Sequence, residues 1–254
     1  MQDKNDIALE TRGLKKYFGG IKAVDGIDLK LYRNEILGIV GDNGAGKSTL
    51  IKTITGVHQK DGGEILIDGK KTEINNTREG KMLGIETVYQ DGGLIKVLDG
   101  PGNIFLGREK VKDNIFGKVF RSLDFKYMGD KTVEVLSELG IQVKEIHAHT
   151  VNLSGGQQQS IAVGRAIHWS GKILIFDEPT NNLGVNEQEK TIQLIKNIRD
   201  KFKNISIIII SHNLFHIFKI VDRIIVLKNG RVVGDRQKEE TNQNEIVSMI
   251  TGVS

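Results

Sequence analysis

Residues 41–49 read Gly-Asp-Asn-Gly-Ala-Gly-Lys-Ser-Thr, which satisfies the pattern G-x-x-x-x-G-K-S/T in full. Its flanks make it constraining. Glu35–Val40 before it is the short apolar run of a buried strand, and Ser48–Thr55 behind it reads as a helix. A strand that turns through glycines into a helix is the context in which this pattern binds phosphate. Gly41, Gly44 and Gly46 let the backbone of Asp42, Asn43 and Ala45 curl its N–H groups around phosphate oxygens. The helix that opens at Lys47, Ser48 and Thr49 adds free N–H donors and the positive end of its dipole. Lys47 supplies a point charge for the β- and γ-phosphates, and the Ser48 hydroxyl is a ligand for Mg²⁺. The competing reading is a glycine-rich turn carrying a chance Lys-Ser pair, which the strand and helix on either side disfavour.

A second apolar run, Ile173-Leu174-Ile175-Phe176, ends in Asp177-Glu178. Alone, this is an ordinary strand with solvated acids at its tip. Beside a phosphate loop it acquires a task, because ligands in parallel α/β sheets gather at the carboxyl ends of the strands. Asp177 then completes the Mg²⁺ shell, and Glu178 orients or deprotonates an attacking water.

The rest of the chain fits one α/β core. Strand-like runs at Ile7–Thr11, Ile27–Leu31 and Gly62–Asp68 open it, the last closed by the hairpin signal Asp68-Gly69. Further strands are expected at Lys172–Phe176, Ile205–Ile210 and Arg223–Leu227, with an amphipathic helix over Gln188–Phe202. Residues 91–152 have a helical, polar texture, for instance Thr132–Leu139, and read as an insertion in the core. The 254 residues allow one or two domains at about 150 residues each. There is no cysteine, so disulfides, thiolate metal sites and a Cys nucleophile are excluded. The net charge of +4 is spread among interleaved acids and bases rather than gathered in a stripe, which argues against a nucleic-acid partner. No run approaches the ~20 apolar residues of a membrane span. The first ten residues carry acids and no apolar segment, unlike a signal peptide.

Leu153-Ser154-Gly155-Gly156-Gln157, placed 23 residues ahead of Asp177, resembles the signature of ATP-binding-cassette (ABC) ATPases. The resemblance covers nearly the whole chain and implies an α/β P-loop NTPase core with an antiparallel β subdomain and a helical subdomain. Residues 1–254 would form a single ATP-binding domain, with 91–152 as the helical part inserted within it. ATP and Mg²⁺ are the implied cofactors. Phe18, with Tyr17 as fallback, matches the aromatic that stacks on adenine, and Val24 lies in the same nucleotide-binding stretch. Gln90 matches a glutamine that reaches the Mg²⁺ and the attacking water, and His212 matches the switch histidine; together with Glu178 they form the implied catalytic set. Ser154, Gly155, Gly156 and Gln157 open a helix whose N-terminus would face the γ-phosphate held by a second subunit. That implies a nucleotide-dependent homodimer arranged head to tail.

Leu83–Asp91, Asn103–Glu109, Thr180–Val185 and Gly230–Gly234 look like the corresponding segments of simple-sugar importers of the ribose, xylose and fructose type. The implied role is the energy subunit of a bacterial monosaccharide importer. It would be peripheral at the cytoplasmic face of the membrane, docked on a permease and served indirectly by a sugar-binding protein. The alternative is the ATPase subunit of another ABC transporter, with a different substrate or an exporter. Ribosome-acting and DNA-repair relatives fit less well, because 254 residues cannot hold two cassettes and no heptad pattern separates Lys47 from Asp177. Two departures from the family pattern stand out. Gly184 occupies the place of an aspartate, and Asp99-Gly100-Pro101-Gly102 puts two glycines around a proline where the family starts a helix. Glycine and proline disfavour a helix there, so a loosened turn is expected at the permease-facing segment.

Overall fold

The structure, a computed structural model, describes residues 7–89, 92–115, 120–143, 145–181 and 183–252. Among them ten strands form two sheets. The first is antiparallel, ordered β2-β1-β4-β5, from β1 (Ile7–Phe18), β2 (Ile21–Tyr32), β4 (Gly62–Ile67) and β5 (Lys70–Thr72). The second is ordered β10-β9-β3-β8-β7-β6, from β3 (Ile36–Gly41), β6 (Ile85–Val88), β7 (Ile173–Asp177), β8 (Ser206–Ile210), β9 (Arg223–Lys228) and β10 (Arg231–Gln237). Five of these six are parallel, and only β10 runs antiparallel, as a hairpin partner of β9.

The apolar strands lie where their composition sends them. Every residue of β3 and β8 is buried, as a strand covered on both faces requires. One face packs Leu37, Ile39, Ile208, Ile210, Ile173 and Ile175 against α1 (Lys47–Ile54) and the antiparallel sheet. The other packs Val40, Phe176, Ile207 and Ile209 against α5 (Gly155–Trp169), α6 (Val185–Lys201) and α7 (Leu214–Ile220). The alternation of side chains along each strand divides these two cores.

The helical stretch between β6 and β7 holds α3 (Gly100–Ile104) and α4 (Phe125–Glu138), which pack against α5 around Ile104, Phe105, Met128, Leu153 and Ile161. The loosened turn expected at Asp99–Gly102 is not found. The Asp99 carboxylate accepts from the Gly102 N–H at 2.7 Å, and Pro101 stands in the first turn, where its missing N–H costs nothing. The glycines answer to crowding. A Cβ on Gly100 would lie 2.9 Å from the Ile146 carbonyl, and one on Gly102 would lie 2.9 Å from the Asp99 carboxylate. Asn103, fully buried, then bonds the backbone of Ile95 and Leu98, so the segment is tied down by its own polar groups.

Several elements carry no strong sequence signal. β1 and β2 run well beyond Thr11 and before Ile27, where they pair with each other as a hairpin arm in which only Leu14 and Val24 are buried. β10 follows a turn at Asn229 and Gly230, both at positive φ. Helix α8 (Gln243–Thr251) closes against β9 and β10, burying Ile246. No helix of the described residues is long and apolar enough to cross a membrane.

Arg223, at the head of β9, locks the two sheets together. Its guanidinium donates to Glu35 at 2.7 Å and to both Asp235 oxygens at 2.9 Å, and bonds the Lys30 carbonyl of β2. Both Arg223 and Glu35 are buried. Removing one partner of such a pair strands the other charge, so Arg223→Met is expected to lower unfolding stability by about 3–5 kcal/mol. Urea denaturation checks this, and an unchanged midpoint would contradict it.

Candidate functional site

Strands β3, β8 and β7 are consecutive neighbours and run parallel, with Ile39 beside Ile210 and Ile210 beside Asp177. Their carboxyl ends therefore deliver three loops to one spot. The loop after β3 brings residues 41–49, β7 ends in Asp177 and Glu178, and the loop after β8 brings His212. A cleft of about 700 Å³ opens there. It is lined by Asn43 to Thr49, Glu178 and His212 on the expected side, and by Ile21, Lys22, Ala23, Asn181 and Asn229 besides.

The loop is shaped for an oxyanion. Gly41 and Gly46 have φ values of 153° and 103°, and a Cβ on either would come within 2.3 Å of a carbonyl, that of Leu227 or of Ala23. Gly46 caps α1 without a side chain, which leaves the first-turn N–H groups free to face the cleft. Lys47 Nζ, largely buried, donates to the carbonyls of Gly41 at 2.8 Å and Asp42 at 3.0 Å. Burial pushes its pKa down, against the pull of the carboxylates of Glu178, Asp42 and Asp177. Burial, reinforced by Glu178, pushes the Asp177 carboxyl up. The cleft thus holds a buried cation, Lys47, and the Glu178 carboxylate in its lining, with the Asp177 carboxyl crowded against Glu178 just outside that lining. Among the described residues no group of three His, Asp or Glu side chains can hold a metal alone. A divalent cation here would need phosphate oxygens to complete its shell, with Ser48 and Asp177 as protein ligands. These features fit a nucleotide with its metal.

Glu178 sits at φ 52°, a conformation costly for a side-chain-bearing residue. Its N–H donates to Ile210 O at 2.9 Å, its carbonyl accepts from the Asn181 N–H at 3.1 Å, and its carboxylate lies 3.0 Å from His212 Nδ1. The carboxylate is thereby aimed at the cleft with a titratable partner beside it.

Other expected residues lie elsewhere. Gln90 is outside the described residues. Phe18, at the end of β1, does not line the cleft; its ring meets His58 edge-on at 5.2 Å, and Tyr17 bonds Asp25 at 2.8 Å. Val24 is fully buried in the core, and its neighbour Ala23 faces the cleft instead. Ser154, Gly156 and Gln157 border a second cleft with Glu187 and Lys190, so one chain does not bring them to Lys47. Ser154 and Gln157 form a reciprocal cap, with Ser154 N–H to Gln157 Oε1 at 2.9 Å and Gln157 N–H to Ser154 Oγ at 3.3 Å. Gly184 takes the cap of α6, with its N–H on Glu187. Ile21 and Lys22, at the start of β2, and the turn residues Asn181 and Asn229 line the cleft without belonging to any motif.

The ABC transporter family matches residues 24–181. The chain belongs to that family. As a member of it, the chain is an ATPase, built on the expected α/β P-loop core. It is 42% identical to the xylose/arabinose import ATP-binding protein XylG of Sulfolobus acidocaldarius, over 96% of this chain and 93% of that one. It is also 42% identical to the fructose import ATP-binding protein FrcA of Rhizobium meliloti, over 96% and 94%. A dimeric ATP-binding cassette in a post-hydrolysis state, bound to ADP and phosphate, superposes with a TM-score of 0.74 at 25% identity, covering 91% of this cassette and 98% of that chain.

Gly46→Ala is expected to weaken nucleotide binding by at least about tenfold, because strain of about 1–3 kcal/mol and a clash with Ala23 must both be relieved. Gly44→Ala meets nothing within 4 Å and carries only the strain of φ 80°, so it should be milder. Titration with a fluorescent ATP analogue ranks the two, and equal affinities would remove the clash as the cause.

Proposed function

We propose that this chain is the ATP-binding and ATP-hydrolysing subunit of a monosaccharide importer, working on a membrane permease at the cytoplasmic face of the membrane. The observation that carries the reading is the full-length likeness to two sugar-import ATP-binding proteins, combined with a cleft in which Lys47, Glu178 and His212 converge. Residues 1–254 then act as one cassette, with 91–152 as its helical part. A sugar-binding protein would serve the permease and touch this chain only indirectly.

Magnesium, when bound with ATP, neutralises phosphate charge as it develops. The chain's own residues do the rest. The N–H groups of Gly44 to Thr49 wrap the phosphates, and Lys47 gives up its two carbonyl bonds to reach them. Ser48, Asp177 and Gln90 would hold the metal beside the phosphates. Glu178 takes or orients the proton of the attacking water, and His212 holds that carboxylate in place at 3.0 Å. Phe18, which packs on His58 outside the cleft, is the proposed contact for the adenine ring beyond it. Ser154, Gly155, Gly156 and Gln157 serve the nucleotide of a second copy, since their cleft is separate from that of Lys47. A symmetric head-to-tail dimer gives each site both halves, and hydrolysis releases it.

Glu178→Gln is expected to keep ATP affinity within about twofold and to cut turnover about 10²–10⁴-fold, the range of a lost general base. Lys47→Ala should instead weaken ATP binding about 10–100-fold, the worth of a charged hydrogen bond. Steady-state ATPase assays with parallel nucleotide titrations separate the two. For the transport role, cells carrying only Glu178→Gln should lose uptake of one labelled monosaccharide among xylose, arabinose, fructose and ribose, while amino-acid uptake persists. Unchanged uptake of all four sugars would overturn it.

A further inference from the structure

Arg108 follows α3 and reaches two elements at once. One guanidinium nitrogen lies 3.2 Å from Glu86 Oε1 on β6, and the guanidinium plane covers the Trp169 ring at 4.6 Å, at the last turn of α5. Trp169 is itself fixed by its indole N–H, which donates to the Ile104 carbonyl at 2.7 Å, and by the edge of Phe105 at 5.8 Å. Glu86 is buried, with a side chain only 8% exposed, and burial holds its carboxyl above the usual range despite Lys81, Arg108 and Arg165 nearby. A carboxylate so placed depends on its partners, and Lys81 stands farther off, at 3.9 Å.

The two anchored elements both lead to the nucleotide chemistry. β6 pairs in register with β7, Val88 beside Phe176, one residue short of Asp177 and Glu178. α5 begins at the Ser154 cap and ends at Trp169. A shift of α5 relative to the β6–β7 edge must therefore strain or break the Arg108 contacts. Arg108 is planar and forked, so it can hold a carboxylate and stack on an indole together.

We propose that Arg108 is a positioning residue for ATP hydrolysis: through Glu86 and Trp169 it sets the angle between the helix of Ser154–Gln157 and the strand edge that carries Asp177 and Glu178. It touches no nucleotide, and it acts by registering the two halves of the site. The inference rests on the assignment of both elements to the nucleotide under the proposed function.

Trp169 is the chain's one tryptophan, so its emission reports this junction directly. Purified wild-type chain is mixed with the non-hydrolysable analogue AMP-PNP and Mg²⁺, and Trp169 emission is read beside mant-ATP affinity, steady-state ATPase kinetics and far-ultraviolet circular dichroism. Wild type should show a nucleotide-dependent change in emission. Arg108→Ala and Glu86→Gln should keep mant-ATP affinity within about twofold, lose most of that emission change, and lower kcat about three- to tenfold with KM nearly unmoved. Arg108→Lys keeps the ion pair with Glu86 and should restore at least half of kcat. The assignment is overturned if wild-type emission ignores nucleotide, if Arg108→Ala keeps both the emission change and kcat, or if kcat falls only in proportion to folded protein. Failure of wild type to bind mant-ATP would instead reject the proposed function.

Discussion

The row Ile39–Ile210–Asp177 is the constraint on which the site depends. Three parallel strands in this register end level with one another, so that whatever follows them shares one edge. The register is not negotiable, because β3 and β8 are buried on both faces and β7 nearly so, and a slip of one residue would exchange the two cores. Lys47, Glu178 and His212, which are far apart in the chain, are neighbours for that reason alone. The Arg223 cluster acts at the opposite end of the same strands. It joins β9 to Glu35 just before β3, and Asp222 accepts the N–H of Ile36, so the origin of β3 is pinned as firmly as its tip.

What the sequence disclosed follows from how each feature is encoded. The glycines of 41–46 and the apolar runs of β3, β7 and β8 are local signals with strong periodicity, and they were legible with their boundaries nearly right. The acids at 177 and 178 were legible because they stop an apolar run. The lining residues Ile21 and Lys22 at the start of β2, and Asn181 and Asn229 in turns, were not, since none of them belongs to a motif or an apolar run. The outer halves of β1 and β2 were hidden for a related reason: only Leu14 and Val24 are buried along them, too few to make an alternation.

Asp99–Gly102 shows where composition misleads. Glycine and proline lower helix propensity in an interior, but α3 is one turn long and all of it is first turn. Its stability comes from contacts that propensity does not count. These are the Asp99 cap, the Gly100 N–H on Ile146 and the buried Asn103 amide. A Cβ on Gly100 is kept out by the Ile146 carbonyl, and one on Gly102 would displace the capping Asp99 carboxylate. The same logic governs Gly41 and Gly46, where the space denied to a side chain belongs to Leu227 and Ala23 on one side and is left open toward the cleft on the other.

Glu178 unites the electrostatic and conformational sides of the site. A residue with a Cβ at φ 52° persists only where its surroundings hold it there. The N–H of Glu178 is held by the end of β8, its carbonyl by Asn181, and its carboxylate by His212. Relaxing the backbone would break contacts to two neighbouring elements, so the strain is retained. At this turn the Glu178 carboxylate lines the cleft beside Lys47 and the first turn of α1. Two adjacent acids on a simple strand end would alternate to opposite sides of the sheet. The left-handed turn at Glu178 breaks that alternation: Glu178 lines the cleft, while Asp177, half-buried at the end of β7, stays out of its lining yet close enough for Glu178 to push its carboxyl up.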